Sequence, residues 1–168
     1  GNTTGWNGGA IANNGTIDSI QGDFIGNTAN SNGGAIDNYW YGTIGLVANT
    51  KNVVFSDNKD NSGYNDIYQC DGTLNLNANE SKNITFNGSI RGEDGTTNTI
   101  NINDSTKNVA VGGEYIFNNA ISDNNLVLAN GANVRFGTTT QSDNSVTYGH
   151  MTNGNLTVAG TNTSLNTQ

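Results

Sequence analysis

Short segments of alternating apolar residues recur in this chain, two per repeat. Thr43-Ile44-Gly45-Leu46 is followed by Lys51-Asn52-Val53-Val54-Phe55, and Thr73-Leu74-Asn75-Leu76 by Lys82-Asn83-Ile84-Thr85-Phe86. Thr99-Ile100-Asn101-Ile102 leads to Lys107-Asn108-Val109-Ala110-Val111, and Asn125-Leu126-Val127-Leu128 to Ala132-Asn133-Val134-Arg135-Phe136. A shorter copy opens at Thr16-Ile17 and a partial one at Asn155-Leu156-Thr157-Val158. The starts at 16, 43, 73, 99, 125 and 155 give spacings of 27, 30, 26, 26 and 30 residues. Two short β segments per repeat of this length, with turns between them, mark a β-solenoid. Such a fold directs function toward surfaces and away from deep pockets.

Alternation fixes which side chains share a face. It predicts one inward column of Ile44, Leu74, Ile100, Leu126 and Leu156, and a second of Phe55, Phe86, Val111 and Phe136. Coils rising by one strand spacing, roughly 4.8 Å, stack equivalent residues directly, and five to six coils make a rod about 25–30 Å long. A third strand must close each coil. The segments 33–38, 66–69, 88–91 and 113–117 are the candidates. Asn52, Asn83, Asn108 and Asn133 share one repeat position and are expected to form an amide row at a turn. Thr16, Thr43, Thr73, Thr99, Asn125 and Asn155 are expected to face solvent. Their companion column (Gly45, Asn75, Asn101, Val127, Thr157) is too irregular for a flat, water-ordering lattice.

A hydrophobic content of 33% is low for a globular domain, and 23 Gly and 33 Asn fill the gap. A solenoid tolerates this, since it needs only a thin apolar column, and the absence of proline suits strands whose N–H groups all enter ladders. The net charge of −8 argues against nucleic-acid binding and offers no basic patch for anionic lipid. Cys70 stands alone, which excludes an intrachain disulfide, and is expected to act as a small buried hydrophobe.

Two tetrapeptides punctuate the first third of the chain. Gly8-Gly9-Ala10-Ile11 recurs as Gly33-Gly34-Ala35-Ile36, and Phe24-Ile25-Gly26-Asn27 as Phe55-Ser56-Asp57-Asn58. Paired glycines permit a sharp corner with positive φ, Ala lets the next coil close down, and Ile points inward. In the second motif Phe fills the core, and Asn58, like Asn27, is placed to bond backbone at the following turn. This pairing resembles the repeats of polymorphic outer-membrane proteins, a branch of the autotransporter (type V secretion) passengers. In the third round Gly63-Tyr64-Asn65-Asp66-Ile67-Tyr68 replaces the first motif, and beyond residue 70 neither motif recurs.

The resemblance implies a right-handed parallel β-helix on a bacterial cell surface, outer-membrane-anchored through a C-terminal barrel or secreted, attaching to a protein or glycan of a host or neighbouring cell. Residues 1–168 are then expected to be one solenoid fragment of a longer passenger, with motif-bearing coils over 1–70 and generic coils over 71–168. Right-handed crossover is also the general preference for parallel strands. A chain that crosses a membrane unfolded benefits from local coil-to-coil contacts and from having no disulfides.

The rival class is a carbohydrate-active β-helix of lyase or glycosidase type. Its candidate carboxylates are Asp18, Asp23, Asp37, Asp57, Asp66 and Asp71, with Asp37 and Asp66 at comparable places in successive coils. Most of these sit in Asp-Asn, Asp-Gly or Ser-Asp contexts that read as turns. No catalytic residue, cofactor or metal site is therefore expected. Tyr39-Trp40-Tyr41 is the feature that a plain strand or turn does not explain. Three successive aromatics cannot all point inward, so this triplet is the candidate adhesive patch.

Overall fold

The computed structural model describes residues 1–103 and 112–167. Their strands wind into a parallel β-solenoid of about five turns, with no helix among the described residues.

The first sheet has six strands: Thr16–Ile20, Thr43–Ala48, Thr73–Ala78, Thr99–Ile102, Asn125–Leu128 and Leu156–Val158. Ile17, Ile44, Leu74, Ile100, Leu126 and Leu156 stand opposite one another from strand to strand. Ile44, Leu74, Ile100 and Leu126 are fully buried, so the expected first column is the observed one. Leu156 continues it on the sheet's edge strand but is 44% exposed, having no strand on its far side among the described residues. The Thr/Asn row is also in register, and Asn155 Nδ2 donates to Asn125 Oδ1 at its end.

The second sheet stacks Phe24–Ile25, Val53–Ser56, Asn83–Phe86, Glu114–Phe117, Asn133–Phe136 and Ser164–Thr167. Phe24, Phe55, Phe86, Phe117 and Phe136 form one pile with successive centroid distances of 4.5, 4.9, 5.4 and 6.0 Å. Stacked rings at such spacings add to the energy of burial. Phe117, not Val111, occupies the fourth place, which corrects the expected second column. Residues 107–111, and with them Asn108, lie outside the described residues. Glu114–Phe117 was expected to be a third strand, and it is a second-sheet strand because Tyr115 and Phe117 repeat the inward alternation of Ile84 and Phe86. The amide row is corrected likewise. Asn83 N–H donates to Asn52 Oδ1, but Glu114 stands between Asn83 and Asn133 and pairs with Arg135.

Tyr115 is fully buried, and its hydroxyl donates to Asn103 Oδ1 while accepting the Ala78 N–H at 2.7 Å. Tyr115→Phe would leave two buried groups without partners. The expected loss is about 1–3 kcal/mol in chemical denaturation. A change below about 0.5 kcal/mol would show that relaxation re-pairs both groups.

The third sheet closes the coils through Ile11–Asn13, Ile36–Tyr39, Gly63–Cys70, Ser89–Gly92, Ala120–Ser122 and His150–Thr152. Ile11, Ile36, Ile67, Ile90, Ile121 and Met151 form its inward column. Beside this column runs a buried amide ladder. Asn13 donates to Asn38 (2.8 Å), Asn38 to Gln69 (3.1 Å) and Gln69 to Asn124 (2.7 Å).

The two tetrapeptides have distinct tasks. Gly33 has φ +69°, and a Cβ there would lie 2.1 Å from the Ile36 carbonyl oxygen. A Cβ on Gly34 would lie 2.3 Å from the Asn65 carbonyl oxygen of the next coil. The first glycine makes the corner and the second lets the coils meet, as Gly8 and Gly9 do one turn earlier. Ala35 and Ile36 then enter the core, whereas Ala10 is exposed and Ile11 only partly buried in the first turn. In the second motif Asn58 Nδ2 donates to the Phe24 carbonyl and to Asp66 Oδ1, while Asn58 Oδ1 receives the Asn27 backbone and side-chain N–H groups.

Candidate functional site

Asn14-Gly15, Asp71-Gly72 and Asn153-Gly154 form the corners between third and first sheets in three turns, residue types that turn readily. The second turn departs from this. After Tyr39 the chain makes a four-residue turn closed by Gly42 N–H to the Tyr39 carbonyl (3.1 Å), with Trp40 and Tyr41 at φ 48° and 64°. Two consecutive positive φ angles favour Asn and Gly, and a bulky residue held there costs about 1–3 kcal/mol. The rings gain little burial in return, since Trp40 is 69% and Tyr41 80% exposed. Tyr39 is half-buried and meets the Trp40 indole edge-on at 5.6 Å. The triplet is thus brought to the surface as expected.

The outer face of the third sheet continues from this corner. Asp37 lies opposite Tyr68, Tyr39 opposite Cys70, and Tyr68 opposite Arg91 on the following strand. Asp37, Tyr39, Trp40, Tyr68 and Cys70 wall an open cleft of about 310 Å³, completed by Asn7, Asn32 and Glu93. Arg91 does not line it. Its guanidinium lies 5.1 Å from the Tyr68 ring centre and is held by Asp60 (3.2 Å) and Asn32 Oδ1 (3.0 Å).

Asp37 forms part of the cleft floor and is fully buried. Its Oδ2 accepts from Asn7 Nδ2 at 2.8 Å, and its Oδ1 has no partner among the described residues. Burial pushes its carboxyl up to about 6, the Asn7 hydrogen bond opposes this, and the charge of Glu93 adds to it. Burial, helped by Glu93, likewise lifts the Tyr68 hydroxyl to about 12. Cys70 is not the buried hydrophobe expected from the sequence. It is partly exposed on the cleft wall because it falls on the outward phase of its strand, and its thiol donates to Glu93. Burial first, then that hydrogen bond, lifts the thiol to about 11, so it stays protonated at neutral pH.

Asp37 and Asp66 do not stand as a pair. Tyr68 takes the place opposite Asp37, while Asp66 is bulged, fully buried, and accepts from Asn58 Nδ2 (2.8 Å) and Gly88 N–H (2.6 Å). Three other carboxylates serve backbone. Asp23 receives the Val54 N–H, while Asp57 and Asp71, both at positive φ, receive those of Ser142 and Thr97. Among the described residues no cluster of three or more His, Cys, Asp or Glu is arranged to hold a metal.

Sequence reasoning missed Asn7, Asn32, Tyr68 and Glu93. Tyr68 and Cys70 carried a signal, since alternation from inward Ile67 turns both outward. Asn7, Asn32 and Glu93 lie in loops with no repeat to align them.

No family model, no curated protein and no solved structure matches this chain.

Proposed function

We propose that this chain is part of a bacterial surface-displayed passenger of the autotransporter adhesin type, acting as a stalk with an adhesive patch at Trp40 and Tyr41. The observation that carries the reading is the pair of exposed aromatic residues held at positive φ, where other turns use Asp, Asn, Ser and Gly. Backbone strain without compensating packing is a mark of function, and Trp and Tyr dominate binding hot spots. The stacked coils, the single cysteine and the acidic, Asn-rich composition support export and display as a solvated rod. The partner on this reading is a protein or glycan on another cell. A second reading, a carbohydrate-active site, draws on Asp37 and Glu93 sharing one aromatic-walled cleft.

The test compares cell binding by the intact chain with that of a Trp40→Ala, Tyr41→Ala double variant. Binding by the intact chain is expected to fall at least tenfold in the variant, with circular dichroism unchanged. Equal binding by both removes the adhesive patch. Release of reducing ends from a neutral polysaccharide, abolished in Asp37→Asn, would move the site to the enzyme reading.

The strain gives a separate expectation. Tyr41→Gly should raise stability by about 1 kcal/mol, because glycine occupies this φ without penalty. Thermal unfolding measures it, and a lower midpoint would show that the Tyr41 ring stabilises the corner more than its backbone strains it.

A further inference from the structure

The geometry points to the cleft beneath Trp40 as a subsite for a neutral, hydroxyl-rich sugar ring, with Asp37 Oδ1 accepting a ligand hydroxyl. This deepens the adhesive reading by naming the ligand's chemistry at the same corner. A fully buried carboxylate oxygen with no donor is costly, and a ligand that displaces the side chains covering it and supplies a donor relieves that cost. Trp40 sets a largely bare indole at the rim, the arrangement on which the C–H face of a sugar stacks. Half-buried Tyr39 and Tyr68 also line the cleft, and neither belongs to the inward core column. A volume of about 310 Å³ lies at the small end of ligand sites, enough for one or two rings.

The same acidic, aromatic character would attract a cation, and one contact decides against it. Arg91, fixed by Asp60 and Asn32, already sets a guanidinium 5.1 Å from the ring centre of Tyr68 on the cleft wall. A second positive charge beside that guanidinium is repelled, whereas a neutral hydroxyl is not. An anionic sugar is disfavoured by Asp37 and Glu93 themselves.

The experiment uses the full chain carrying Trp6→Phe, so that Trp40 is the sole indole. Lactose, cellobiose, maltose and diacetylchitobiose are titrated singly, with choline and lysine amide as cationic probes, following Trp40 fluorescence and backbone amide shifts. The expected result is saturable binding of at least one disaccharide, with shifts confined to residues 37–41, 68–70 and 93, and no response to either cation. Asp37→Asn keeps an oxygen for the Asn7 amide but puts a donor where the free acceptor stood. It should weaken binding at least tenfold while the thermal midpoint stays equal or rises, which separates lost recognition from lost fold. Trp40→Ala should weaken binding similarly.

Absence of saturable binding by all four disaccharides overturns the assignment, as does saturable binding of choline or lysine amide. Binding unaffected by Asp37→Asn overturns the role of the buried oxygen. The adhesive reading fails separately. Cell attachment that depends on Trp40, with no disaccharide bound, leaves that reading standing and removes the sugar, whereas disaccharide binding without cell attachment does the reverse.

Discussion

Replacing Ile100 by Asp is expected to unfold the middle of the solenoid. Ile100 is fully buried, opposite Leu74 on one side and Leu126 on the other. Aspartate there loses the apolar burial, worth about 1.5–3 kcal/mol. It also buries a carboxylate with no cation among its strand neighbours, which costs several kcal/mol more even after relaxation. The sum approaches the whole stability of a typical domain, roughly 5–15 kcal/mol. Because each coil contacts mainly its neighbours, damage at the fourth strand of the first sheet breaks the rod between its two halves. Circular dichroism and amide exchange should show strand signal lost around residues 74–128. Ile100→Val, which removes one methylene, should cost only about 0.5–1.5 kcal/mol. If Ile100→Asp unfolds at the same denaturant concentration as the parent, the stacked-column account of this fold is wrong.

The outcome at residues 113–117 shows what the repeat pattern could and could not carry. The first sheet was legible from its second strand onward, because Thr-Ile-x-Leu segments recur with near-constant spacing and pair in the register their alignment implies. The first strand carries an irregularity between Ile17 and Ile20 that the alignment did not show. Lys107-Asn108-Val109-Ala110-Val111 copied the second segment in sequence and so captured the assignment. The better guide was phenylalanine itself, since Phe24, Phe55, Phe86 and Phe117 lie 31 residues apart and stack in one pile. A ring needs a ring-sized place in every coil, so aromatic spacing constrains register more tightly than a run of small aliphatics.

The site was legible only at its rim. Tyr39-Trp40-Tyr41 announced exposure because three adjacent aromatics cannot all be buried. The floor was hidden, since Asp37 meets Asn7 and Glu93 only after coils stack, across separations of 30 and 56 residues in loops that obey no period. The buried amide ladders were likewise hidden. Asn13, Asn38, Gln69 and Asn124 are chemically alike but not identical, and their spacing follows corner length in place of strand length.

Stability is expected to rise as pH falls from 8 to 5. Two fully buried carboxyls set this direction, Asp37 lifted to about 6 and Asp66 to about 7 from an ordinary 3.8. For Asp66 the cause is burial, opposed by donors from Asn58, Gly88 and Asn87. An acid whose folded-state value lies above its unfolded one binds its proton more tightly when folded. The unfolded chain then holds fewer protons between the two values, and stability falls with rising pH across that window. The window runs from about 4 to 6 for Asp37 and from about 4 to 7 for Asp66. Each tenfold difference in proton affinity is worth about 1.4 kcal/mol. The ceilings are then roughly 3 kcal/mol for Asp37 and roughly 4 kcal/mol for Asp66, enough together to move a midpoint by on the order of 10 °C in a chain this size. The net charge of −8 acts in the same direction, so the variant separates the causes. Asp37→Asn retains the Asn7 hydrogen bond and removes one buried charge, so it should stabilise the protein at pH 8 and change it little at pH 4. Asp66→Asn should also flatten the profile, but at lower stability throughout, because its amide N–H would oppose the Gly88 N–H. Thermal unfolding from pH 4 to 8 on the three proteins makes the comparison. A parent midpoint that stays level or climbs between pH 5 and 8 would mean that neither carboxyl is held protonated by burial.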